Sequence, residues 1–511
     1  MSQVTIDGRK LTVDEVVAVA RDATSQVVLA QEAKARVQRS RQLVERLVES
    51  QTVVYGITTG FGALKGRFIS PEHSQELQRN LIMSHAVGVG EPLPEEVVRA
   101  MLLIRANTLA QGYSGLRLET LEALIAMLNR GVHPVIPAQG SVGASGDLAP
   151  LAHLALVLMG QGEALYRGER LPGGEALRSA GLEPITLAAK EGLALINGTT
   201  AMAALGALAV HDALGLCDVA DVAGALSLEA LAGVLDAFDP RLHALRPHLG
   251  QQESAANVLQ LTQGSQLLAK RGEKVHDPYC LRCIPQVHGA VRDAVEYARG
   301  VISIELNSAI DNPLIFSDGE TTVISGGNFH GEPLALALDF LGIAVAELAS
   351  ISERRLDRLL NSDGLLPPFL SLSSGLNSGF MTTQYTAAAL VSENKVLAHP
   401  ASVDSIPTSG GVEDHVSMGT ISARKAREII GNTQAVLALE LMAAAQGVDL
   451  RWRTQAGGRE NRRSKLGPGT RRAYDLVRAQ VPFLERDEVL YPYIEAVKQL
   501  VASGRLRQAL S

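Results

Sequence analysis

The chain has 511 residues, 46% of them hydrophobic but only 4% aromatic, and its formal net charge is −7. A chain of this length can bury more than one core. The composition is rich in Ala and Leu, which favours close-packed helices over a β-sandwich. The negative charge argues against a nucleic-acid partner.

No targeting or membrane segment is predicted. Met1–Lys10 lacks the basic and then apolar pattern of a signal peptide, and three cysteines give no disulfide framework. No uncharged apolar run reaches the ~18 residues of a membrane span. The longest apolar runs, such as Val436–Val448 with Glu440 inside it, predict buried helices. We therefore expect a cytoplasmic protein with no membrane partner.

The N-terminal part predicts a mixture of short strands and helices. Residues 4–11 are typical of a tight hairpin, and Thr12-Val13-Asp14-Glu15 is a capping box that opens a helix. A second helix is expected at about 30–50. Residues 53–62 then predict a short apolar strand that leads into a glycine-containing loop with Tyr55 at its start. Such loops often carry function, although this pattern fits a half-buried aromatic residue equally well.

Two further features precede the central loop. His85 lies in an apolar run at 81–90, where a histidine is more often a satisfied core residue than a catalyst. Apolar residues at 118–128 recur every three to four positions and predict a helix that Gly131 ends.

The chain is organised around Gly140–Pro150, which contains three glycines and two serines. These residue types favour a sharply bending backbone, and Asp147 is expected to cap an apolar helix over 148–159. From the residues alone, this is a glycine-rich turn that caps a buried helix. A phosphate-binding loop is a weaker alternative, because neither a Gly-Lys-Ser/Thr ending nor a G-x-G-x-x-G pattern is present.

The remaining residues predict mostly helix. Residues 162–182 are polar and turn-rich and predict a surface excursion. An apolar helical pattern then runs almost without a break from 201 to about 446. The Arg-rich stretch 451–472 predicts an exposed loop, and 474–510 returns to amphipathic helix.

The predicted fold class is therefore mainly α. We expect a smaller mixed region over 1–200, which carries the Tyr55 loop and the central loop. A long-helix bundle is expected over 201–511.

A cysteine–histidine cluster lies between His276 and His288, with Cys280 and Cys283 spaced as Cys-x-x-Cys. This pattern is compatible with a zinc site or a thiol redox pair. Zinc is disfavoured because no long spacer separates two ligand pairs, and redox chemistry because no βαβ pattern surrounds the cysteines. We expect no metal here, and a helical zinc-binding or scaffold protein is the alternative from a different class.

Ala144-Ser145-Gly146 in its loop resembles the prosthetic-group loop of the aromatic amino acid lyases, and the resemblance covers nearly the whole chain. Other matching stretches are Asp277–Gly289, Glu305–Pro313, Ser325–Glu332, Ser352–Arg355, Gly375–Phe380 and Ser402–Met418. Singly, several are typical of helix caps or packing glycines, but in this order they are highly specific. Gly410-Gly411-Val412 departs from the family's usual spacer before Glu413.

The resemblance implies a prosthetic group made from the chain itself. The nitrogen of Gly146 would attack the carbonyl carbon of Ala144, and loss of water would turn Ser145 into an exocyclic methylidene. The product, 4-methylidene-imidazol-5-one, is an electrophile suited to activating an amine as a leaving group, and no external cofactor is expected. The resemblance also implies a homotetramer whose active sites are built from several chains.

The same resemblance implies the site residues. Catalytic positions are matched by Tyr55, Ala144, Ser145, Gly146, Asn197, Tyr279 and Phe329, and substrate-binding positions by His85, His276, Arg282 and Glu413. Tyr55 or Tyr279 would transfer protons, and Arg282 would hold a carboxylate, for which a guanidinium is a bidentate partner. His276 stands where the family usually has Gln.

The implied substrate is L-histidine, a small-molecule amino acid. A buried imidazole needs partners for two nitrogens, and each unmet partner costs ~1–3 kcal/mol. His85 and Glu413 meet that need. The resemblance thus implies elimination of ammonia to give trans-urocanate, the first step of histidine degradation. A 2,3-aminomutase, or a tyrosine or phenylalanine lyase of the same fold, is the alternative.

Overall fold

The computed structural model describes residues 3–60, 62, 67–270, 272–317, 323–453 and 463–510. The chain divides into two compact units. The first comprises Met1–His211, Arg299–Asp339 and Pro400–Arg424, and the second comprises Asp212–Ala298, Phe340–His399 and Lys425–Ser511. Each unit thus combines segments that are distant in sequence, while the predicted boundary near residue 200 stays a prediction.

Long helices dominate the structure, which confirms the predicted mainly α fold class. The helices are α1 Val13–Arg21, α2 Gln31–Glu49, α3 Ser74–His85, α4 Glu95–Ala110, α5 Leu118–Asn129, α6 Leu148–Leu158, α7 Gly173–Ser179, α8 Glu191–Ile196, α9 Thr200–Ala230, α10 Pro240–Ala244, α11 Leu249–Leu261, α12 Tyr279–Arg282, α13 Ile284–Glu305, α14 Glu332–Leu360, α15 Met381–Leu397, α16 Gly419–Arg453, α17 Pro468–Arg478 and α18 Tyr491–Ala502.

Several helix ends lie where the sequence predicts them. The capping box opens α1, because the Thr12 hydroxyl accepts from Glu15 N at 3.2 Å and the Glu15 carboxylate accepts from Thr12 N at 2.9 Å. Gly131, with φ +71, follows the end of α5. The exposed loop predicted at 451–472 is wrong at both ends of the stretch, because α16 extends to Arg453 and α17 begins at Pro468, where Gly469 and Thr470 are buried. Residues 454–462 of this stretch lie outside the described residues.

The strands are few and short. They are β1 Gln3–Ile6, β2 Gln26–Leu29, β3 Val89–Pro92, β4 Val132–Pro134, β5 Pro137–Gln139, β6 Glu163–Tyr166, β7 Glu169–Pro172, β8 Leu314–Ile315 and β9 Val323–Ile324. They form the sheets β1-β2, β3-β5, β4-β6-β7 and β8-β9. The hairpin predicted at 4–11 is wrong: β1 pairs in parallel with β2. The capping box starts α1 at Val13, between β1 and β2. This helix is the crossover connection that two parallel neighbouring strands require.

Two other local predictions need correction. No strand forms at 53–54, because the Thr58 hydroxyl accepts from Val54 N at 2.9 Å and Thr58 N donates to Val54 O at 3.0 Å, which folds this segment into turns. The surface location predicted for residues 162–182 agrees with their mostly exposed or half-buried side chains, but the segment is regular and not turn-rich. It contains the β6–β7 hairpin, whose Arg167-Gly168 turn has φ +53 and +83, and α7.

Among the residues that the structure describes, two helices are long and apolar enough to cross a membrane by length and composition alone. Their most apolar windows have a mean hydropathy of 1.5 in α9 and 2.0 in α14, and 78% and 61% of these windows are buried inside the protein. This burial is typical of core helices, so the two segments are weak evidence for a membrane span.

Buried charges fix α8, the short helix that precedes Asn197. Lys190 and Asp311 are both buried and form an ion pair of 2.6 Å, and the adjacent Glu191 carboxylate accepts from Arg117 and Thr120, each at 2.7 Å. Removing one partner of such a pair leaves an uncompensated buried charge, which costs about 3–5 kcal/mol. The backbone at Asn197 is therefore rigidly placed.

Candidate active site

The predicted prosthetic-group loop is held against the backbone at Gly198. Gly198 N donates to Ser145 O at 3.0 Å, and Asp147 N donates to Gly198 O at 2.8 Å, which makes a parallel bridge between Gly146 and Gly198. Gly146 has φ +76, and a Cβ added there would overlap the backbone of Gly198. Only glycine fits this position, because both the conformation and the close approach exclude a side chain.

The side chain of Asp147 anchors the loop from behind. Asp147 lies at the N-cap position of α6, as predicted, but its carboxylate makes no capping bond there. It accepts instead from Met202 N at 2.9 Å and from the Thr420 hydroxyl at 2.6 Å, in the first turns of α9 and α16. Burial raises the pKa of Asp147 to about 6, although these hydrogen bonds lower it.

Two adjoining cavities of the first unit meet at Ser145. The His85 cavity has a volume of about 680 Å³ and is lined by His85, Leu81 and Leu193 among others. The Phe329 cavity has a volume of about 550 Å³ and is lined by Ala144, Asn312, Phe329 and His330 among others. The residues that line both cavities are Tyr55, Gly62, Ser145, Asn197 and Glu413. Together the cavities form one cleft.

Glu413 is held by both its side chain and its backbone. Its Oε1 accepts from the Ser145 hydroxyl at 3.3 Å, and its Oε2 accepts from the Thr408 hydroxyl at 2.9 Å. Thr408 N also donates to Glu413 O at 2.9 Å, as part of an isolated antiparallel bridge. One carboxylate oxygen is thus fixed by Thr408, and the other faces Ser145.

His85 has a defined orientation at the end of α3. Its Nδ1 lies 2.8 Å from Leu81 O and 3.1 Å from the Ser84 hydroxyl. A carbonyl oxygen only accepts, so Nδ1 carries the proton in the neutral ring. Burial lowers the pKa of His85, an effect that the hydrogen bond to Leu81 and the charge of Glu413 oppose.

Two further predicted residues lie close to Ser145. The Tyr55 hydroxyl oxygen accepts from Gly62 N at 3.3 Å. Asn197, only 4% exposed, donates from Nδ2 to Ser145 O at 3.4 Å. The structure therefore brings Tyr55, His85, the Ala144-Ser145-Gly146 loop, Asn197, Phe329 and Glu413 together in the first unit.

The remaining three predicted residues belong to the second unit. The side chain of Tyr279 is 71% exposed, and the Arg282 guanidinium lies 4.7 Å from the centre of its ring. His276 lines a different cavity of about 570 Å³, together with Lys274 and Arg358 among others.

The cysteine–histidine cluster has no metal geometry. Both ring nitrogens of the buried His288 are engaged, Nδ1 with Asp221 at 2.7 Å and Nε2 with Arg355 at 3.2 Å. Burial raises the pKa of Cys280, which disfavours a reactive thiolate. Among the residues that the structure describes, no group of three or more His, Cys, Asp or Glu side chains could hold a metal ion.

Sequence reasoning did not single out Asn312 and Thr408. Both lie in stretches that carry the family resemblance, but an amide or a hydroxyl there has no local signal of its own. Asn312 lines the Phe329 cavity, and Thr408 reaches the site only through Glu413.

Known proteins share this whole architecture. The family model for aromatic amino acid lyase matches residues 11–479. The histidine ammonia-lyase of Caldanaerobacter subterraneus subsp. tengcongensis is 58% identical over 100% of this chain and 98% of its own, and that of Alkaliphilus metalliredigens is 57% identical over 99% and 98%.

Solved structures agree in fold. Histidine ammonia-lyase from Trypanosoma cruzi matches with a TM-score of 0.91 and 45% identity, over 99% of this chain and 95% of that one. Tyrosine aminomutase from Streptomyces globisporus matches with a TM-score of 0.93 and 41% identity, over 99% and 98%. The chain therefore belongs to the aromatic amino acid lyase family. It is a carbon–nitrogen lyase that acts on an amino acid.

Proposed function

We propose that the protein eliminates ammonia from L-histidine and releases trans-urocanate, the first step of histidine degradation. The observation that carries this proposal is the pairing of His85 and Glu413 on one cavity beside Ser145. A ring pocket for phenylalanine needs only apolar walls, whereas an imidazole needs polar partners for both nitrogens. The full-length relatives named histidine ammonia-lyase support the same substrate.

We propose that Ala144-Ser145-Gly146 forms 4-methylidene-imidazol-5-one. Closure would join Gly146 N to the Ala144 carbonyl carbon and release two waters, one of them from the Ser145 hydroxyl. The residues fit: only glycine is accommodated at 146, and no hydrogen bond in the described part of the chain engages the Gly146 N–H. When formed, this group supplies an electrophile that makes an amine a better leaving group.

The roles of the surrounding side chains follow from their contacts. Tyr55 is the proposed base for the β-proton, because it lines the cleft beside Ser145 and the hydrogen bond from Gly62 N orients its hydroxyl group. Asn197 binds the α-amino or carboxylate end of the substrate. Phe329 packs an apolar ring along the cavity and excludes water.

We propose a cytoplasmic homotetramer in which Tyr279, Arg282 and His276 act at the cleft of another subunit. This proposal is supported by the high exposure of Tyr279 in the short helix α12 and by the Arg282 guanidinium that stacks on its ring. Mixing a Tyr55→Phe variant with an Arg282→Met variant during refolding or coexpression tests this. Activity well above that of either variant alone is expected, and additive residual activity would contradict shared sites.

The first experiment uses the purified protein with L-histidine, L-phenylalanine or L-tyrosine and no added cofactor. Near-ultraviolet absorbance and released ammonia are followed together. We expect both to rise only with histidine. A β-amino acid product would indicate an aminomutase, and ammonia from phenylalanine or tyrosine alone would refute the substrate assignment. Stoichiometric zinc with an unmodified Ser145 would instead favour the zinc-binding class.

A further inference from the structure

A second histidine, His153, lies behind the cleft on α6, the helix that follows the prosthetic-group loop. It is half-buried and lines neither the His85 cavity nor the Phe329 cavity. Its Nε2 accepts a hydrogen bond from Gly88 N at 3.1 Å. A backbone N–H only donates, so Nε2 carries no proton and the neutral ring holds its proton on Nδ1. Burial lowers the pKa of His153, which favours this neutral form.

The hydrogen-bonded residue Gly88 is three positions beyond His85, and the backbone between them is a tight turn. His85 is the last residue of α3, and Val87 N donates to His85 O at 3.0 Å. The His85 ring is fixed to its own helix, because its Nδ1 lies 2.8 Å from Leu81 O. A displacement of Gly88 would therefore move the end of α3 and the His85 ring with it.

This turn also packs closely against the start of the prosthetic-group loop. A Cβ added to Gly88 would lie 3.2 Å from His153 Nε2 and 3.3 Å from the backbone oxygen of Gln139, in β5. A Cβ added to Gly140, the next residue along the chain, would lie 3.2 Å from Gly88 Cα. The turn after α3 is thus fixed by residues at the start of the loop and by His153, which follows the loop.

The two groups proposed to bind the substrate ring come from different segments. His85 moves with α3, whereas the segment of Glu413 is joined to the prosthetic-group loop, because Met418 N donates to Val142 O at 2.9 Å. An imidazole that contacts both groups needs them at one defined spacing. A misplacement of about 1 Å can lower a rate by ~100-fold.

We propose that His153 is a positioning residue that sets the spacing between His85 and Glu413, and with it the preference of the site for a ring with two nitrogens. It acts through the N–H of Gly88 and does not touch the substrate. This inference rests on the proposed function, because it takes His85 and Glu413 as the groups that bind the imidazole ring.

The test compares two ligands that differ only in the ring. trans-Urocanate carries an imidazole, and trans-cinnamate carries a phenyl ring that forms no hydrogen bond with His85 or Glu413. Calorimetric dissociation constants for both ligands are measured on the wild type, His153→Leu and His153→Gln, together with kcat and KM for L-histidine. Leu has no acceptor for Gly88 N, whereas the amide oxygen of Gln replaces Nε2 as the acceptor.

We expect His153→Leu to weaken urocanate binding about fivefold to tenfold, while cinnamate binding stays within about twofold of the wild type. The value of kcat/KM for histidine should fall about tenfold. His153→Gln should recover most of the preference for urocanate. His211→Leu is the matched control, because His211 is a half-buried histidine of α9 that lines neither cavity, and it should keep the wild-type preference.

A double-mutant cycle shows whether His153 acts through His85. His85→Leu removes the ring contact, so adding His153→Leu to that variant should change urocanate affinity less than about twofold. An equal loss in both backgrounds would overturn the inference, and so would an equal weakening of urocanate and cinnamate. A Gln variant as impaired as the Leu variant would assign the effect to packing and would also overturn it.

A second variant covers the case in which His153→Leu is not folded by circular dichroism. Gly88→Ala then replaces it, since the added Cβ presses on His153 Nε2, and the same loss restricted to urocanate is expected. A wild type that binds cinnamate as tightly as urocanate would refute the proposed function and this inference with it. A wild type that prefers urocanate, with the preference unchanged in the variant, would refute this inference alone.

Discussion

The Ser145 hydroxyl donates a hydrogen bond of 3.3 Å to Oε1 of Glu413, across 268 residues of sequence. This hydroxyl is the group that the proposed cyclisation would remove. Maturation would therefore release Oε1 for the substrate ring, while Thr408 keeps Oε2 in place. Ser145, which is proposed to become the electrophile, and Glu413, which is proposed to bind the imidazole ring, are thus hydrogen-bonded to each other before the prosthetic group forms.

Gly146→Ala should abolish the prosthetic group. The added Cβ would overlap Gly198, so the bridge that holds the loop cannot form. We expect ammonia release to fall more than ~100-fold, equivalent to about 3 kcal/mol in the barrier, and the intact mass to retain both waters.

Gly181→Ala is the matched control for that substitution. Gly181 has φ +73, close to the φ +76 of Gly146, but a Cβ there meets nothing within 4 Å. It should cost only ~1–2 kcal/mol of stability and leave activity intact. Full activity of Gly146→Ala would contradict the close-approach argument.

Glu413→Gln should reduce kcat/KM for histidine about tenfold to a hundredfold, since an ionised acceptor is replaced by an amide. Melting temperature should change little, because Glu413 is half-buried and its backbone bridge to Thr408 remains. Asp414→Asn, which alters a neighbouring carboxylate that lines only the Phe329 cavity, should have a smaller effect. Equal kinetics for wild type and Glu413→Gln would remove the basis for the substrate assignment.

Thr408→Val should impair histidine turnover although Thr408 lines neither cavity, because Thr408 acts through Glu413. The variant keeps the side-chain shape but loses the hydrogen bond of 2.9 Å to Oε2 of Glu413. A bond to a charged group contributes about 1.5–3 kcal/mol, so kcat/KM should fall about tenfold or more. Thr408→Ser keeps the hydroxyl and should restore most of the activity. Equal loss in Val and Ser variants would point to packing of the methyl group instead.

Glu229→Gln should alter the pH dependence of stability. Burial raises the pKa of Glu229 from 4.5 to about 7. Between pH 4.5 and about 7, Glu229 is therefore protonated in the folded state and ionised in the unfolded state. Its contribution to the free energy of unfolding falls as the pH rises through this range. The difference corresponds to about 3 kcal/mol.

The neutral Gln keeps an oxygen for Gly467 N, which donates to Oε1 of Glu229 at 2.8 Å. Thermal melts should thus show the variant equal to the wild type near pH 4.5 and more stable at pH 8. Glu119→Gln, at an exposed position, should follow the wild type. A Glu229→Gln profile parallel to that of the wild type would refute the argument.

Local sequence signals predicted local structure well. The capping box before α1, the apolar period of α5 and the apolar run of α6 each depend on residues within one or two turns, and all three helices form. The hairpin expected at 4–11 failed because pairing of β1 with β2 depends on a partner beyond α1. Asp147 is similar: its position was predicted, but its carboxylate bonds to α9 and α16 instead of α6.

By itself, the sequence determined the helical class, the loop that contains Ala144-Ser145-Gly146, and the residue types that resemble the family's site. Only the tertiary structure decided which of those residues share a cleft, that Glu413 reaches Ser145, and that Thr408 holds the other carboxylate oxygen of Glu413. The reason is physical. Helix periodicity and capping depend on residues that are close in sequence. A site is formed by side chains that are far apart in sequence, and their separation along the chain does not predict their distance in space.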